Sequence, residues 1–335
     1  MKRVVSFGEL MLRLSPPGEE RFFQSPALRT FFGGSEANVA ASLAHFGVQS
    51  EYVTRLPTNA IGDAALASLR AEGVGVRDVV RGGTRMGIYF VESGADLRPM
   101  RVVYDRAHSA FSEIGADEVD WERVLRGSDW LHLSGITPAL GDGPARAAAG
   151  AAGAARALGV AVSVDLNYRP ALWAGRDPQP SVRPLVEGCE VLIGNPGAFA
   201  AMLGVALPED GEGGGSIRDT AGRVRDELGC RRIAVTRREV VSASEHGWSA
   251  ALYDGAADEV HVSERYRVRV VDRVGGGDSF AAGLIHGLLD GDLEKGLGYG
   301  TAMSALKHTI PGDFPWLTRA EVDGLIQGGG LRIRR

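Results

Sequence analysis

The sequence predicts an α/β protein: a three-layer α/β/α fold whose mostly parallel central sheet carries helices on both faces and a small β-strand lid. Three observations point there. Short β-branched runs alternate with Ala- and Leu-rich stretches over most of the chain, the pattern of parallel strands joined by crossover helices. Two segments, about 10–32 and 84–106, break that alternation with short runs such as GIYFVES (87–93) and MRVVYDR (100–106), which read as hairpins inserted over the main sheet. The 335 residues are 44% apolar and 24% charged, enough to build a real core. Neither an internal repeat nor a domain-sized linker is visible, so one domain over residues 1–330 is expected.

The elements follow in order. VVSFG (4–8) reads as a first strand and NVAASLAHFG (38–47) as the helix after it. The N-terminus MKRVVSFGELMLRL faintly resembles a secretion signal, but Glu9 and Arg13 interrupt the apolar run and no small-residue cleavage site follows. YVTRL (52–56) precedes the helix DAALASLRAEG (63–73). WLHLSG (130–135) precedes PARAAAGAAGAARALG (144–159), and VAVSVDLN (160–167) follows. VLIGN (191–195), RRIAVT (231–236) and YRVRVV (266–271) are further strands, the last leading into the helix DSFAAGLIHGLLDG (278–291). Sheets of this kind put ligands at the carboxyl ends of their strands.

Net charge is −5, which offers no surface for nucleic acid or an anionic membrane. No apolar run reaches the roughly 18 residues a membrane helix needs. Only Lys2, Lys295 and Lys307 among the 37 basic residues are lysines. Cys189 and Cys230 lack the spacing of a zinc or redox motif, so two reduced thiols in a cytoplasmic protein are expected.

Two triple-glycine runs differ in context. Gly213–Gly215 lies in the acidic stretch EDGEGGGSIRD (209–219), with no strand before it and no good helix immediately after; it reads as a surface loop. Gly275–Gly277 stands between a strand and a helix in DRVGGGDSFAAG (272–283). There the backbone amides can converge on an anion, aided by the positive end of the helix, and glycine lets a ligand come close. Asp278 follows. Its simplest role is a helix N-cap. The alternative is a general base beside an anion cradle, an arrangement suited to phosphoryl transfer. GGGDSF lacks the third glycine of a dinucleotide fingerprint, and no P-loop motif is present.

At these residues the chain resembles the PfkB, or ribokinase-like, carbohydrate kinases. DRVGGGDSFAAG (272–283) is similar to the second motif of that family and FGGSEANVAASLAHFG (32–47) to its first. GGSEANVA (33–40), GIYF (87–90), RVVYDRAHSA (101–110), LHLSGITPAL (131–140), DLNYR (165–169) and VGGGDSF (274–280) bring the likeness toward the 2-keto-3-deoxygluconate kinases. The resemblance implies ATP- and Mg2+-dependent phosphorylation of that acid sugar to its 6-phosphate, with the need for a monovalent cation left open. It implies Asp278 as base and Gly275, Gly276 and Gly277 as anion hole. Gly33, Gly34, Asn38, Tyr89, Tyr104, Arg106 and Arg169 would contact the sugar. Asn195, Thr236, Arg237, Gly247 and Thr301 would join Gly275 and Gly277 around the nucleotide. Arg106 and Arg169 suit an acid sugar chemically, because a guanidinium fork matches a carboxylate; each could instead pair with a nearby aspartate, Asp105 for Arg106, Asp165 or Asp177 for Arg169.

Departures accompany the likeness. Relatives carry Asn-x-x-Glu where this chain has Asn195-Pro196-Gly197-Ala198, so no metal-organising residue can be named. Arg273 replaces a small hydroxylated residue, Thr301 replaces an asparagine, and the nucleotide loop TRREVVSASEHGWSA (236–250) looks extended. His308 reads as a helix-end cap, and His108 and His132 as structural. A kinase for a neutral sugar (fructose or ribose type) or a nucleoside, or a non-catalytic sugar-acid sensor, are the rival readings. Exposed lid edges suggest a homo-oligomer.

Overall fold

The structure, a computed structural model, describes residues 1–208 and 214–328. Its strands, in chain order, are β1 (Arg3–Phe7), β2 (Met11–Ser15), β3 (Arg29–Gly33), β4 (Gln49–Val53), β5 (Arg55–Leu56), β6 (Val80–Arg81), β7 (Ile88–Glu92) and β8 (Arg101–Asp105). They continue as β9 (Trp130–Ser134), β10 (Ala161–Asp165), β11 (Val191–Gly194), β12 (Arg232–Ser242), β13 (Glu245–Asp254), β14 (Glu259–Val262) and β15 (Tyr266–Arg269). Among the described residues the main sheet runs β14-β13-β12-β11-β10-β9-β1-β4, with β15 also pairing β13. From β4 to β12 every pairing is parallel. The far edge beyond β12 is antiparallel.

Alternation along each strand explains the layers. Val5 and Phe7, Leu131 and Leu133, Leu192, and Ile233 and Val235 enter one core. Their neighbours Val4, Trp130, Val191, Ile193 and Ala234 enter the other. The first core is closed by the helices Asp142–Ala157, Gln179–Val186 and Pro196–Leu203, the second by Ser35–His45, Gly276–Leu289 and Leu293–Lys307. The last two cross backbone to backbone. A Cβ on Gly283 would stand 2.5 Å from the Gly300 nitrogen, and one on Gly287 would stand 2.2 Å from that of Gly296.

A second sheet, β3-β2-β7-β8, is built from the two interrupting segments. Each is an antiparallel hairpin, as the pattern predicts, but the two are joined by a parallel pairing of β2 with β7.

Three expectations need correction. The YRVRVV run does not extend the parallel set: β15 lies antiparallel on β13. The stretch 236–250 is no loop but most of a long β12–β13 hairpin, whose β-branched and alternating residues pair outward past the sheet. Its tip meets the lid, where Ala243 N donates to the Asp96 carbonyl at 2.8 Å and Asp96 N to Ser244 Oγ at 2.8 Å. A helix, Gly214–Leu228, begins inside the Gly213–Gly215 run. It is held by its apolar stripe Ile217, Ala221, Val224 and Leu228. The rest of the loop expected there, 209–213, lies outside the described residues. Cys189 and Cys230 are free and buried, with Sγ atoms 3.2 Å apart. Among the described residues no helix is long and apolar enough to cross a membrane.

Candidate active site

Two helix N-termini meet at Asp278. Gly275 caps the Gly276–Leu289 helix in the left-handed conformation, φ +84°, so Asp278 is its third residue rather than the N-cap. Its side chain is then free to reach the neighbouring helix. The carboxylate accepts from Ser35 Oγ at 2.8 Å and Asn38 Nδ2 at 2.7 Å, both in the opening turn of Ser35–His45. Burial raises the Asp278 pKa; the Asn38 and Ser35 bonds and the charges of Arg169 and Lys307 oppose it. A carboxylate so placed is a competent proton acceptor.

The three glycines divide the work. A Cβ on Gly275 would stand 2.7 Å from the Asp313 carbonyl oxygen, and one on Gly276 would stand 2.6 Å from His308 Cε1. Those two are fixed by packing. Gly277 is exposed, and a Cβ there would meet nothing within 4 Å. The amide face is therefore closed behind and open in front, the geometry an anion hole requires.

Two more buried carboxylates stand close by. Glu36 accepts from Ser134 Oγ at 2.6 Å and Thr137 Oγ1 at 3.2 Å. Burial pushes its pKa to about 7, with Asp278 adding to the rise. Asp165, at the carboxyl end of β10, is pushed to about 7 by burial and then by Asp278, while Arg169 pulls it back. Gly8 makes room for Glu36: a Cβ there would fall 2.0 Å from its carboxylate.

The cations sort into paired and free. Arg106 is paired: its Nε donates to Glu9 Oε2 at 2.8 Å and Nη2 binds the same oxygen, while Ser109 Oγ also bonds Glu9. Neither Asp105 nor a free role is found for it. Arg169 is exposed and its guanidinium reaches only the Tyr168 carbonyl, at 3.3 Å; among the described residues it has no carboxylate partner. Arg238 and Arg273 likewise form no ion pair among them. Arg238 is lowered by burial and then by Arg169. Arg273 is lowered to about 10 by burial and then by Arg238. The register sets Arg238 opposite Trp248, whose ring lies 5.4 Å from that of His308, the side chain behind Gly276. Arg238 and Arg273, with no ion pair among the described residues, thus lie around His308, which packs against Gly276.

The remaining sequence-predicted residues are placed as follows. Asn38 has a protein partner at both ends of its amide: Nδ2 donates to Asp278, and Oδ1 accepts from Gly34 N at 3.4 Å. Gly33 and Gly34 are needed for close approach, with Asp313 Oδ1 and the Glu9 carbonyl 2.1 and 2.0 Å from a hypothetical Cβ. The Tyr89 hydroxyl is taken by Asp313. Its ring stacks at 5.9 Å on Tyr104, which is 39% exposed. Asn195 is exposed at the end of β11, where Oδ1 caps the next helix through Ala198 N at 3.0 Å. Thr236 shares the Arg238 face of β12. Arg237 lies on the other face, with Nε and Nη2 unpartnered.

Gly247 and Thr301 are not brought to the site. Gly247 sits in mid-strand under the Glu239–Arg265 pair. Thr301 is fully buried with its hydroxyl on the Leu297 carbonyl at 2.9 Å. Gly247 is covered by a tertiary pair, while the Thr301 hydroxyl is taken up by its own helix. His308 does end its helix, with Nδ1 on the Ser304 carbonyl at 2.7 Å.

Sequence reasoning missed Ser35, Glu36, Asn167 and Arg238. Asn167 Nδ2 donates to Ser35 Oγ at 2.7 Å, extending the network that orients Asp278. Ser35 and Glu36 stand inside the quoted GGSEANVA and Asn167 inside DLNYR, but their partners lie about 100 residues or more away. For a magnesium ion, among the described residues no cluster of three or more protein ligands exists. Magnesium ordinarily binds through one or two carboxylates together with phosphate oxygens and water; Asp165, at the carboxyl end of β10, and Glu36 are the buried carboxylates that feel the charge of Asp278.

The profile of the pfkB family of carbohydrate kinases matches residues 1–313. A 2-dehydro-3-deoxygalactonokinase from Haloferax volcanii is 30% identical over 99% of both chains. A 2-dehydro-3-deoxygluconokinase from Thermoproteus tenax is 30% identical over 93% of this chain and 90% of that one. The crystal structure of 2-dehydro-3-deoxygluconokinase from Thermotoga maritima superposes with a TM-score of 0.93 at 44% identity, covering 98% and 100% of the two chains.

Proposed function

The chain belongs to the pfkB family of carbohydrate kinases, and from that premise we propose that it transfers the γ-phosphoryl group of ATP to the terminal hydroxyl of a 2-keto-3-deoxy sugar acid, giving the 6-phosphate. The substrate is 2-keto-3-deoxygluconate or its galactonate-derived epimer, the two named among its relatives. One observation carries the reading: a buried carboxylate, Asp278, that directly follows the Gly275–Gly277 run and feels the charge of Arg169, a guanidinium with no ion-pair partner among the described residues.

In this reading the sugar hydroxyl lies against Asp278. As its oxygen attacks the γ-phosphorus, the O–H proton passes to Asp278, the new O–P bond forms and the bond to the β-phosphate oxygen breaks. Ser35 and Asn38 keep the carboxylate oriented. The amides of Gly275–Gly277 receive the equatorial oxygens of the transferred group, where charge is spread in the transition state. Arg238 and Arg273 lie toward the nucleotide phosphates. Asp165 would hold magnesium together with the nucleotide phosphates, and the ion would supply further charge neutralisation. Arg169 takes the sugar carboxylate. The Arg106–Glu9 pair leaves Arg169 as the main support for an acid substrate, with Arg106 keeping the lid in place around it.

The test is ADP release from Mg·ATP with 2-keto-3-deoxygluconate, beside fructose and ribose. The acid sugar should be preferred, and Asp278→Asn should lower kcat by about 10² or more, the scale of a lost general base. Turnover of neutral sugars alone would remove the carboxylate role of Arg169 while leaving Asp278 in place.

A further inference from the structure

Behind the anion hole lies a sealed group of four charges that the mechanism above does not use. Arg13 on β2, Asp272, Lys307 and Asp313 are 2%, 7%, 0% and 2% exposed. Arg13 joins the carboxylates, with Nη2 2.7 Å from Asp272 and Nη1 3.1 Å from Asp313. Asp272 in turn accepts from Val274 N and Gly312 N, each at 3.0 Å. Among the described residues Lys307 forms no ion pair. Its ammonium donates to the carbonyl oxygens of Ile310 at 3.0 Å and Gly312 at 2.9 Å.

That environment is unusual for a lysine, which ordinarily keeps its head in water. Burial lowers its pKa, and the charges of Asp272 and Asp313 oppose the fall. Carbonyl oxygens with carboxylates behind them form the donor set of a hard cation, and here the cation is covalently attached. Its stem also touches the working loop: a Cβ on Gly275 would lie 3.1 Å from Lys307 Cε. The ammonium thus ties down the 310–312 turn, which Asp272 also holds through Gly312 N, and its stem packs against Gly275, so its charge lies on the packed side of the Gly275–Gly277 loop.

We propose that Lys307 is a positioning residue for phosphoryl transfer, a built-in cation that organises the anion hole from behind and makes an added monovalent cation unnecessary. This rests on the assignment of Gly275–Gly277 as the phosphoryl site.

The experiment measures ADP release with the sugar acid, and Mg·ATP affinity by calorimetry, in buffers whose only monovalent cation is tetramethylammonium. Potassium, sodium or ammonium is then added. The wild-type protein should change less than about twofold in either quantity. Lys307→Ala should lose about 10² in kcat with little change in sugar KM, and ammonium or methylammonium should restore at least about tenfold of that loss. A purely structural lysine would not give this rescue. Wild-type activation of tenfold or more by potassium would overturn the proposal. So would a folded Lys307→Ala protein with normal turnover, or one that no small cation restores. The wild-type cation series decides the matter even if the variant does not fold. Absence of turnover with every sugar, at intact ATP affinity, would strike the substrate reading instead; ATP affinity that depends on potassium would strike the role of Lys307.

Discussion

Arg106 and Arg169 look equivalent in sequence, yet they are opposites in the structure. Arg106 neutralises buried Glu9, so Arg106→Ala strands a carboxylate in the interior and should cost about 3–5 kcal/mol of stability, read by denaturant titration. Arg169→Ala should leave the denaturation midpoint unchanged and raise KM for the sugar acid roughly 10- to 100-fold, the worth of a charge-assisted bond. Glu36 offers a pH test with a defined sign. Its folded pKa of about 7 lies above its ordinary value, so the folded state binds the extra proton between those values. That contribution is fully present at low pH and is lost as pH rises through about 7. Thermal melting should therefore show Glu36→Gln gaining on the wild-type protein from pH 5 to pH 8. At this scale the sequence showed Asp278 and its glycines, because their local pattern is chemical. It did not show that Glu9 would claim Arg106, that Asn38 would donate to Asp278 or that Arg238 would join the site. Each of those depends on a neighbour remote in sequence.

The loop and helix that hold the anion hole separate fold from function. Gly277→Ala introduces a methyl group into open space. It should preserve the melting temperature and lower kcat by about 10²–10³, since it intrudes where the phosphoryl group approaches. Gly275→Ala forces φ +84° on a residue with a side chain and drives it against the Asp313 carbonyl. It should destabilise by about 1–3 kcal/mol and lose activity as well. The parallel strands were legible because their apolar runs are short, β-branched and separated by helical stretches. The β12–β13 hairpin was not. Its residues carry arginine, glutamate and serine, and nothing local says that they pair with each other and then reach Asp96 in the lid. The orientation of β15 was hidden for the same reason, since its partner is that hairpin.

Taken whole, the molecule is a two-faced sheet with its chemistry at one end and a second sheet closing over it. Among the described residues that second sheet has two edge strands, β3 and β8, and β8 exposes Val103 at 53% and Tyr104 at 39%. Such an edge invites pairing with another copy, and light scattering should find a homo-oligomer that Val103→Lys shifts toward monomer. The ion cluster behind the anion hole sets a condition on how this architecture can be inherited. Its two carboxylates come from the C-terminal part of the chain, and so does one of its cations; the other cation comes from the lid. A lid transplanted from a protein with no basic residue at the place of Arg13 would leave an uncompensated negative charge in a dry interior. Strand β2 and the 272–313 segment can therefore change only together. Sugar specificity can change at Arg169 and at lid positions other than Arg13, around an arginine that descent is not free to discard.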